Sequence, residues 1–405
     1  MHKKKLLLAS VILVMIVIAV AVFTYYQNNA ELVSEKNHLP AANEIAENAI
    51  NDTSTSAITT SEAIVEGEKL TPNASKTVKL IAVGDILLGR GVKNRVEKQP
   101  SRYLYPFEEV QGILTRNDVI FANLEEAITA SSKSLAGINE GGKYVLKNEL
   151  EAMNGIKYAG FNLFSLANNH ILDYYATGLF DTMKILDENG IKYAGAGKNL
   201  AEARKLVIIE KQGVKIGLLA YTDMAENVYK GSPAISFGAD NDKAGVAPNN
   251  LEYIKEDIFN AKGKVDILIV SLHWGTEYTY DIATEQVETA HGIIDAGADM
   301  LIGHHTHRFQ GIELYRGKPI FYSLGNFIFD QNEPLNQQGF MMEMEIKDSK
   351  LTRLTGIPYK IIDKARIKMQ VGASGAEMIN REIALCQELN TKSFLEADKI
   401  VFELD

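Results

Sequence analysis

Residues 298–307 read ADMLIGHHTH, a short apolar run that leads directly into three histidines. The whole chain holds eight histidines, so three of them within four consecutive positions form a distinct cluster. The apolar run predicts a buried strand. His305 and His307 are two residues apart at its end and are expected to project to the same side. Since neutral imidazole is the commonest metal ligand, the segment predicts a metal site. A polar surface loop is the alternative for this segment taken alone.

The same pattern, an apolar strand followed by polar side chains, recurs along the chain. Predicted strands lie at 78–83, 118–122, 162–166, 214–220 and 265–272, and predicted helices at 107–114, 149–157, 177–188, 248–261 and 284–296. This alternation is typical of an α/β fold with largely parallel pairing. In such sheets, sites form at the carboxyl ends of the strands. The side chains at those ends are Asp85, Glu125, Asn169, His273, His305 and His307.

The composition excludes some classes of protein. The 405 residues are 46% apolar, which is enough for one large globular domain or two ordinary ones, and the net charge is −10. An acidic balance argues against general nucleic-acid binding, so no nucleic-acid partner is expected. The single cysteine, Cys386, excludes an internal disulfide and a cysteine-based zinc cage, and we expect it to be a small buried or half-buried residue in a helix.

The amino terminus predicts a membrane anchor. Three lysines at positions 3–5 precede an uncharged run over 6–23, which is long enough to cross a bilayer core of about 30 Å. We expect residues 1–26 to form a single-pass signal anchor in the cell membrane. A cleaved signal peptide is the alternative, although its apolar region of about 7–15 residues would be shorter. In either case the rest of the chain is expected outside the cytoplasm.

The next segment changes character and predicts a linker. Residues 27–76 are rich in Asn, Ala, Ser, Thr and Glu and lack aromatic side chains, so they bury too little surface to order themselves. A flexible tether of this length reaches on the order of 40 Å. We expect a folded domain over 77–370 and a helical extension over 371–405, with its helix near 376–389.

Six short motifs follow one another in order within residues 77–330. They are GDILLGR (84–90), ANLE (122–125), ANNHILD (167–173), SLHWGTEY (271–278), GHHTHRFQG (303–311) and YSLGNF (322–327). Together they resemble the CapA family, the poly-γ-glutamate capsule synthesis group of the calcineurin-like metallophosphoesterase superfamily. The resemblance implies a four-layer α/β/β/α sandwich with a dinuclear metal site. It also implies a role in making, exporting or anchoring an anionic capsule polymer within a synthesis complex.

The resemblance assigns roles to individual residues. It implies two divalent ions, of manganese, magnesium, iron or zinc, and a histidine, His170, that protonates a leaving oxygen. Glu125 would bridge the ions, and Asn123 would be an extra ligand. The full set of implied metal ligands is Asp85, Asn123, Glu125, Asn169, His273, His305 and His307.

Two departures from the superfamily pattern bear on the chemistry. Leu87 stands where phosphoesterases usually have a histidine two residues after the first aspartate, and the second motif ends in Asn-Leu-Glu instead of Gly-Asp. One metal position is therefore short of a nitrogen ligand, which implies loose binding or an oxygen-rich set that favours manganese or magnesium over zinc. An extracytoplasmic phosphoesterase unrelated to capsule is the alternative function, and a scaffold without chemistry is the third.

Several neighbours of the motifs are further candidates. Asp173 follows His170 by three residues and either orients its ring or caps a helix. Arg90 and Arg308 are expected to grip an anionic polymer or a phosphoester, with surface salt bridges as the alternative.

The segment after His273 supplies candidate pocket residues. Trp274 and Tyr278 are expected to wall a substrate pocket, with packing at the strand end as the alternative. Glu277 between them is a candidate substrate-binding carboxylate or a solvated one.

Two residues are expected to support the histidine cluster. His304 has the opposite parity to His305 and His307, so it is expected to be structural. Asn326 is expected to hold the histidine loop by hydrogen bonds.

Overall fold

A computed structural model of the protein describes residues 75–137, 144–226, 228–229 and 235–404. The predicted anchor at 1–26 lies outside these residues, and so does the predicted linker at 27–76 except for Ser75 and Lys76. Both are tied to the folded part, since Ser75 Oγ and Lys76 N donate hydrogen bonds to Asp348. Within the described residues, no helix has both the length and the apolar character that a bilayer crossing requires.

Strands and helices alternate through the described part of the chain. The strands are β1 (Thr77–Ile86), β2 (Val119–Leu124), β3 (Ala127–Ile128), β4 (Lys147–Asn148), β5 (Leu163–Ser165), β6 (Lys192–Ala194), β7 (Ala196–Gly197), β8 (Val207–Lys211), β9 (Val214–Thr222), β10 (Val228–Tyr229), β11 (Ile235–Ser236), β12 (Gly245–Val246), β13 (Ile267–His273), β14 (Met300–His304), β15 (Ile312–Tyr315), β16 (Lys318–Phe321), β17 (Asn326–Ile328), β18 (Gln338–Lys347), β19 (Lys350–Ile362), β20 (Arg366–Met369), β21 (Ser393–Glu396) and β22 (Lys399–Phe402). The α-helices are α1 (Arg90–Val96), α2 (Gln111–Leu114), α3 (Met153–Ala159), α4 (Tyr175–Glu188), α5 (Leu200–Ala203), α6 (Leu251–Ala261), α7 (Thr284–Ala296) and α8 (Gly372–Glu388). Short 3-10 segments lie at Arg102–Phe107, Leu150–Ala152, Asp223–Glu226 and Pro334–Gln337.

Two sheets hold most of the strands. The larger has ten strands, in the order β21-β22-β19-β18-β1-β2-β5-β6, with β17 paired to β1 and β20 to β19. The smaller has six, in the order β15-β16-β14-β13-β9-β8. In the larger sheet β1, β2, β5 and β6 run parallel, and in the smaller β9, β13, β14 and β16 do. Each set of parallel strands therefore gathers its carboxyl ends at one sheet edge.

The sheets pack face to face, and helices cover their outer faces. Along β1, Leu80 and Ala82 are buried in the cluster between the sheets, whereas Ile81 and Val83 are buried among helical side chains. The same alternation by two along β13 sends its odd-numbered residues between the sheets and its even-numbered ones toward α6 and α7. The layers are therefore helices, sheet, sheet, helices, and the expected mixed α/β fold is confirmed.

Most of the predicted elements are present, with boundaries that differ by a few residues. The helix predicted at 284–296 is α7, and the strand predicted at 118–122 is β2. The single helix predicted at 107–114 is wrong. A 3-10 segment containing Pro106 ends at Phe107, and the short α2 follows. Val110 N donates to Phe107 O, three residues back, so the chain forms a tight turn there instead of a continuous α-helix.

The carboxyl-terminal segment contains strands as well as the predicted helix. After α8, the hairpin β21–β22 joins the larger sheet through pairing of β22 with β19. Cys386 of α8 is buried as expected, and its Sγ accepts a hydrogen bond from Ile312 N at 3.4 Å. This contact links α8 to β15 of the smaller sheet.

Glu382 on the buried face of α8 predicts a pH-dependent stability. Burial raises the pKa of Glu382 to about 8. Cys386 Sγ donates a hydrogen bond to Glu382 Oε1 at 3.4 Å, which acts in the opposite direction but is the smaller effect. The folded state thus keeps a proton that the unfolded chain loses near pH 4–5, so ionisation destabilises the fold as pH rises through about 8. We expect Glu382→Gln to increase the free energy of unfolding by on the order of 2 kcal/mol near pH 9 and to change it little near pH 5.

Urea denaturation at the two pH values measures this difference. Glu388→Gln, an exposed position on the same helix, is the matched control and should have no pH-dependent effect. An equal effect of Glu382→Gln at both pH values would contradict the assignment.

Candidate metal centre

Two groups of acidic and imidazole side chains lie close enough to hold metal ions, and Glu125 belongs to both. One group combines Glu125 with His273 and His305, and the other combines it with Asp85 and His307. Within each group the potential ligand atoms lie within 4.8 Å of one another. All five side chains are buried. The fold therefore brings together five of the predicted ligands, from strand ends of both sheets.

A bulge in β1 turns Asp85 toward the space between the sheets. Simple alternation would send residue 85 to the helical side, with Ile81 and Val83. Instead, the pairing with β2 shifts by one residue between Ala82 and Asp85, which places Asp85 opposite Asn123. An extra residue in one strand reverses the face of every side chain after it. The bulge is therefore what delivers Asp85 to the metal centre.

The two adjacent glutamates after β2 serve opposite faces of the sheet. Glu125 continues the inter-sheet face of the strand. Glu126 points the other way, and its carboxylate accepts hydrogen bonds from Leu88 N at 2.8 Å and Gly89 N at 3.0 Å. Glu126 therefore fixes the loop that follows β1. Sequence reasoning did not single it out.

Trp274 is the first residue after β13, and its side chain points away from the inter-sheet space, as that of Glu126 does after β2. Its predicted role in substrate binding is wrong. His273 faces the inter-sheet space, so the next side chain faces the helices. The indole is 1% exposed, stacks on Tyr322 and donates from Nε1 to Tyr322 O at 2.9 Å. Trp274 therefore packs on the helical face of the smaller sheet, which is the alternative of packing at the strand end.

The histidine loop reaches the centre through left-handed backbone. His305 has φ of 94° and His307 has φ of 55°, so the same-side projection of the two rings arises in a tight loop and not in an extended strand. Asn326 holds this loop as predicted: Asn326 Oδ1 lies 2.8 Å from His307 Nδ1, and Asn326 Nδ2 donates to His307 O at 3.3 Å. These bonds offset the strain of the loop.

His304 lies beneath the two groups. It is the last residue of β14, faces the inter-sheet space, and places Nδ1 at 3.1 Å from Asp85 Oδ1. Its ring centroid lies 5.8 Å from that of Phe121. His304 thus contacts Asp85 from the end of β14, whereas His305 and His307 reach the two ligand groups from the loop that follows.

The pKa values of the two buried carboxyl groups, Glu125 and Asp85, are shifted in opposite directions. Burial, followed by the charges of Asp85 and Glu277, holds the pKa of Glu125 well above its usual range. Burial also acts to raise the pKa of Asp85, but contacts with His304, the charge of His307 and the hydrogen bond from Asn123 together lower it. Asp85 is therefore the ionised member of the pair.

Glu125 supplies a direct test of whether a metal fits. Both of its carboxylate oxygens are buried without a hydrogen-bond partner among the described residues, as is Nδ1 of His305. Burying unpaired polar atoms costs about 1–3 kcal/mol each, so such atoms call for a partner. A divalent cation satisfies carboxylate oxygens and imidazole nitrogens at once, and the residues therefore fit a metal.

The imidazoles are in the form that binds metals. Burial, together with the neighbouring imidazoles, holds the pKa of His273 well below its usual range. Burial and the charge of His307 lower the pKa of His305 to about 3. Both rings are thus neutral at physiological pH, which is the ligating state.

The amide side chains predicted as ligands already have partners. Asn123 Nδ2 donates to Asp85 Oδ1 at 2.9 Å, and Asn123 Oδ1 accepts from Asn168 Nδ2 at 3.0 Å. Asn169 Oδ1 lies at hydrogen-bond distance, 2.8 Å, from His273 Nε2. Asn123 thus orients Asp85, and ligation by Asn123 and Asn169 stays a prediction.

Asn168 is a central residue that sequence reasoning missed. Its Nδ2 also donates to Leu124 O at 2.9 Å, and its Oδ1 accepts from the backbone N–H groups of His170 and Ile171. One side chain therefore joins the end of β2 to the loop that carries His170. Its place within the motif ANNHILD was visible in the sequence, but nothing in the spacing distinguished it from Asn169.

His170 and Asp173 form a hydrogen-bonded pair beside the centre. His170 Nδ1 lies 2.7 Å from Asp173 Oδ2, which also accepts from Leu146 N at 2.6 Å. The charge of His170 contributes to the lowered pKa of both His273 and His305, which places it near them. Asp173 can thus fix the ring orientation of a histidine that is partly open to solvent.

Leu87 lies on the helical side and is fully buried in the outer core. Because it follows the last residue of β1, it no longer obeys the strand alternation, and its side chain packs away from the Asp85 carboxylate. A ligand expected at this position is therefore replaced by core packing, and the Asp85 group has His307 as its histidine.

The remaining candidates lie around the rim. Arg90 forms a two-point ion pair with Asp330 and lies 5.8 Å from the ring centroid of Phe329. Glu277 is exposed. Arg308 Nε donates to Asn336 Oδ1 at 3.0 Å. Substrate binding by Arg90, Glu277 and Arg308 stays a prediction.

Metal affinity is expected to rise with pH because Glu125 must lose its proton to bind a cation. Its raised pKa means that protons compete with metal in a range where an ordinary glutamate is already ionised, whereas the rings of His273 and His305, whose pKa values are lowered, do not compete. We expect Mn²⁺ affinity to increase as pH rises above the range in which an ordinary glutamate ionises, with proton release on binding. Isothermal titration calorimetry in buffers of different ionisation enthalpy measures this release. Binding without pH dependence or proton release would contradict it.

Comparisons with known proteins agree with these motifs. Residues 79–331 match the family model described as bacterial capsule synthesis protein PGA_cap. The chain is 31% identical over 355 residues to the capsule biosynthesis protein CapA of Bacillus anthracis, covering 82% of this chain and 81% of that protein. It is 31% identical over 324 residues to the PGA biosynthesis protein CapA of Bacillus subtilis (strain 168), covering 80% and 81%.

A solved structure of a novel phosphatase from Mycoplasma pneumoniae is similar with a TM-score of 0.44 and 12% identity, covering 70% of this chain and 94% of that one. The family match spans more than half of the chain and includes every strand end that contributes to the metal centre. The chain therefore belongs to the bacterial capsule synthesis protein family PGA_cap.

Proposed function

We propose that this protein acts outside the cytoplasm, anchored in the cell membrane by residues 1–26, in the synthesis, export or anchoring of a poly-γ-glutamate-like capsule polymer. It does so through a site that holds two divalent ions. The uncharged run after the amino-terminal lysines supports the anchor. The capsule and PGA biosynthesis proteins of the two Bacillus species support the polymer. A polymer-synthesis complex at the membrane is the proposed partner.

The observation that carries the proposal is the sharing of Glu125 by two ligand groups. A carboxylate with two buried, unpartnered oxygens can contribute one oxygen to each of two cations. Asp85 and His307 would complete one position, and His273 and His305 the other. The oxygen-rich character of the Asp85 position favours manganese or magnesium over zinc there.

Bound divalent ions would supply an activated water and charge stabilisation for hydrolysis of a phosphoester or a related bond. The residues of this chain would do the rest. Asp173 holds Nδ1 of His170, so that Nε2 is left to carry a proton to a leaving oxygen. Asn168 holds the backbone N–H of His170 and thereby fixes the approach of the ring.

Metal content of single variants tests the shared ligand. We expect two ions per chain in the wild-type protein, one ion in His273→Ala and in His307→Ala, and none in Glu125→Ala, because only Glu125 serves both positions. Inductively coupled plasma mass spectrometry on the purified protein gives the stoichiometry.

His291→Ala is the matched control, since His291 pairs with Glu313 away from the centre and should not change the metal content. Loss of one ion only in Glu125→Ala, with His273→Ala and His307→Ala unaffected, would contradict the shared site.

The His170–Asp173 pair favours hydrolysis over a purely structural role, and the second candidate function is an extracytoplasmic phosphoesterase unrelated to capsule. We expect His170→Asn to keep the metal content and to lower turnover by about 10²–10⁴-fold, the usual contribution of a positioned acid. Turnover of an aryl phosphate, measured by release of the phenol, is the assay for this candidate.

Asp173→Asn is expected to lower turnover in the same assay with unchanged metal content, because it weakens the contacts to His170 and Leu146 N but removes no candidate ligand. Loss of surface polymer in a deletion strain, without aryl phosphate turnover, would favour the capsule role. Full turnover in His170→Asn would rule out this residue as the acid.

A further inference from the structure

Two arginines from separate parts of the chain converge on one tyrosine next to the metal centre. The guanidinium carbon of Arg308 lies 5.2 Å from the ring centroid of Tyr280, and that of Arg381 lies 5.8 Å from the same centroid. Arg308 directly follows the candidate ligand His307, whereas Arg381 comes from α8. All three side chains are partly exposed, so this cluster is open to solvent.

The cluster is built on the same backbone as the metal centre. Tyr278, two residues before Tyr280, stacks on the ring of His307 with centroids 5.7 Å apart, and Tyr278 N donates to Thr306 O at 2.8 Å. The loop after β13 therefore contacts the histidine loop at Tyr278. Tyr278 covers a candidate ligand, and Tyr280 meets the arginine beside it.

A second set of contacts ties the arginines to the support of His307. Arg308 Nε donates to Asn336 Oδ1 at 3.0 Å, and the backbone oxygen of Asn336 accepts from Asn326 Nδ2 at 2.9 Å. Asn326 in turn holds His307. Two residues further along, Gln338 Oε1 accepts a hydrogen bond from Arg381 Nη2. One short segment thus positions both guanidinium groups relative to the metal centre.

Neither arginine is neutralised. Among the described residues, no carboxylate oxygen lies within 4.0 Å of a nitrogen of Arg308 or Arg381, and the acceptors that they do have are neutral amides. Glu382 is the sequence neighbour of Arg381, but it lies on the buried face of α8, where burial raises its pKa. A guanidinium has five N–H donors, so most of the donors in this cluster remain available.

Two like charges beside one ring repel each other and gain from an anion placed between or across them. Guanidinium groups match the planar, two-oxygen geometry of a carboxylate. Ring contact with Tyr280 keeps both groups in place without cancelling their charge. We propose that Arg308, Arg381 and Tyr280 form a subsite for a carboxylate group of an extended polycarboxylate chain, at a position beyond the group that reaches the metal centre.

The proposal rests on the proposed function, because the chain that it binds is the substrate of the neighbouring centre. Binding of a short γ-linked glutamate oligomer to the full-length, metal-loaded protein tests it by isothermal titration calorimetry at fixed ionic strength. We expect Arg308→Gln and Arg381→Gln each to raise Kd by about tenfold, the usual loss for a charge-assisted hydrogen bond. Metal content should stay at the wild-type value in both variants.

Two controls sharpen the result. Arg353→Gln removes a positive charge from an exposed position on β19 and should leave Kd unchanged. Tyr280→Leu should weaken binding because the arginines lose their ring contact, and Tyr280→Phe, which keeps the ring, should weaken it less.

Unchanged Kd in Arg308→Gln and Arg381→Gln, or no binding of the oligomer by the wild-type protein, would overturn the subsite. Binding of polyphosphate but not of the glutamate oligomer at these arginines would overturn the assigned chemistry of the ligand. Failure of the proposed function would appear differently, as a wild-type protein that binds no divalent metal.

Discussion

The buried carboxylate of Glu125 is the constraint on which the rest of the site depends. Neither of its oxygens has a hydrogen-bond partner among the described residues, and Asp85 lies in the same buried space. A buried carboxyl group without hydrogen-bond partners, next to a second and ionised one, is costly in a protein interior. Neutral imidazoles cannot offset that charge, but they can share a cation with it. A metal centre turns this unfavourable arrangement into a set of satisfied ligands, and the proposed function follows from it.

Amide side chains keep this centre in place across two sheets. Asn168 connects β2 to the loop of His170, and Asn326 connects β17 to the loop of His307. Asn336 extends the second connection to Arg308. Asparagine suits this task because it donates and accepts without adding charge to a site whose charge balance is already determined by carboxylates. The metal centre and the arginine cluster are therefore held by one connected set of asparagine hydrogen bonds.

Much of this arrangement could be predicted from strand periodicity. The strand ends at His273 and His304 and the mixed α/β fold follow from apolar runs and polar termini. The alternation by two also separates His273 from Trp274, and applying it there would have predicted the burial of Trp274. The bulge that reorients Asp85 leaves no pattern in the sequence, because it depends on pairing with β2.

Long-range contacts explain what else the sequence did not reveal. The hairpin β21–β22 acquires its place only through pairing with β19, and Arg381 meets Tyr280 only because α8 packs across both sheets. The most direct measurement of the central claim is anomalous diffraction from crystals of the manganese-loaded protein. We expect two peaks about 3.5–4 Å apart, each in contact with a different oxygen of Glu125. A single peak, or peaks that Glu125 does not touch, would contradict it.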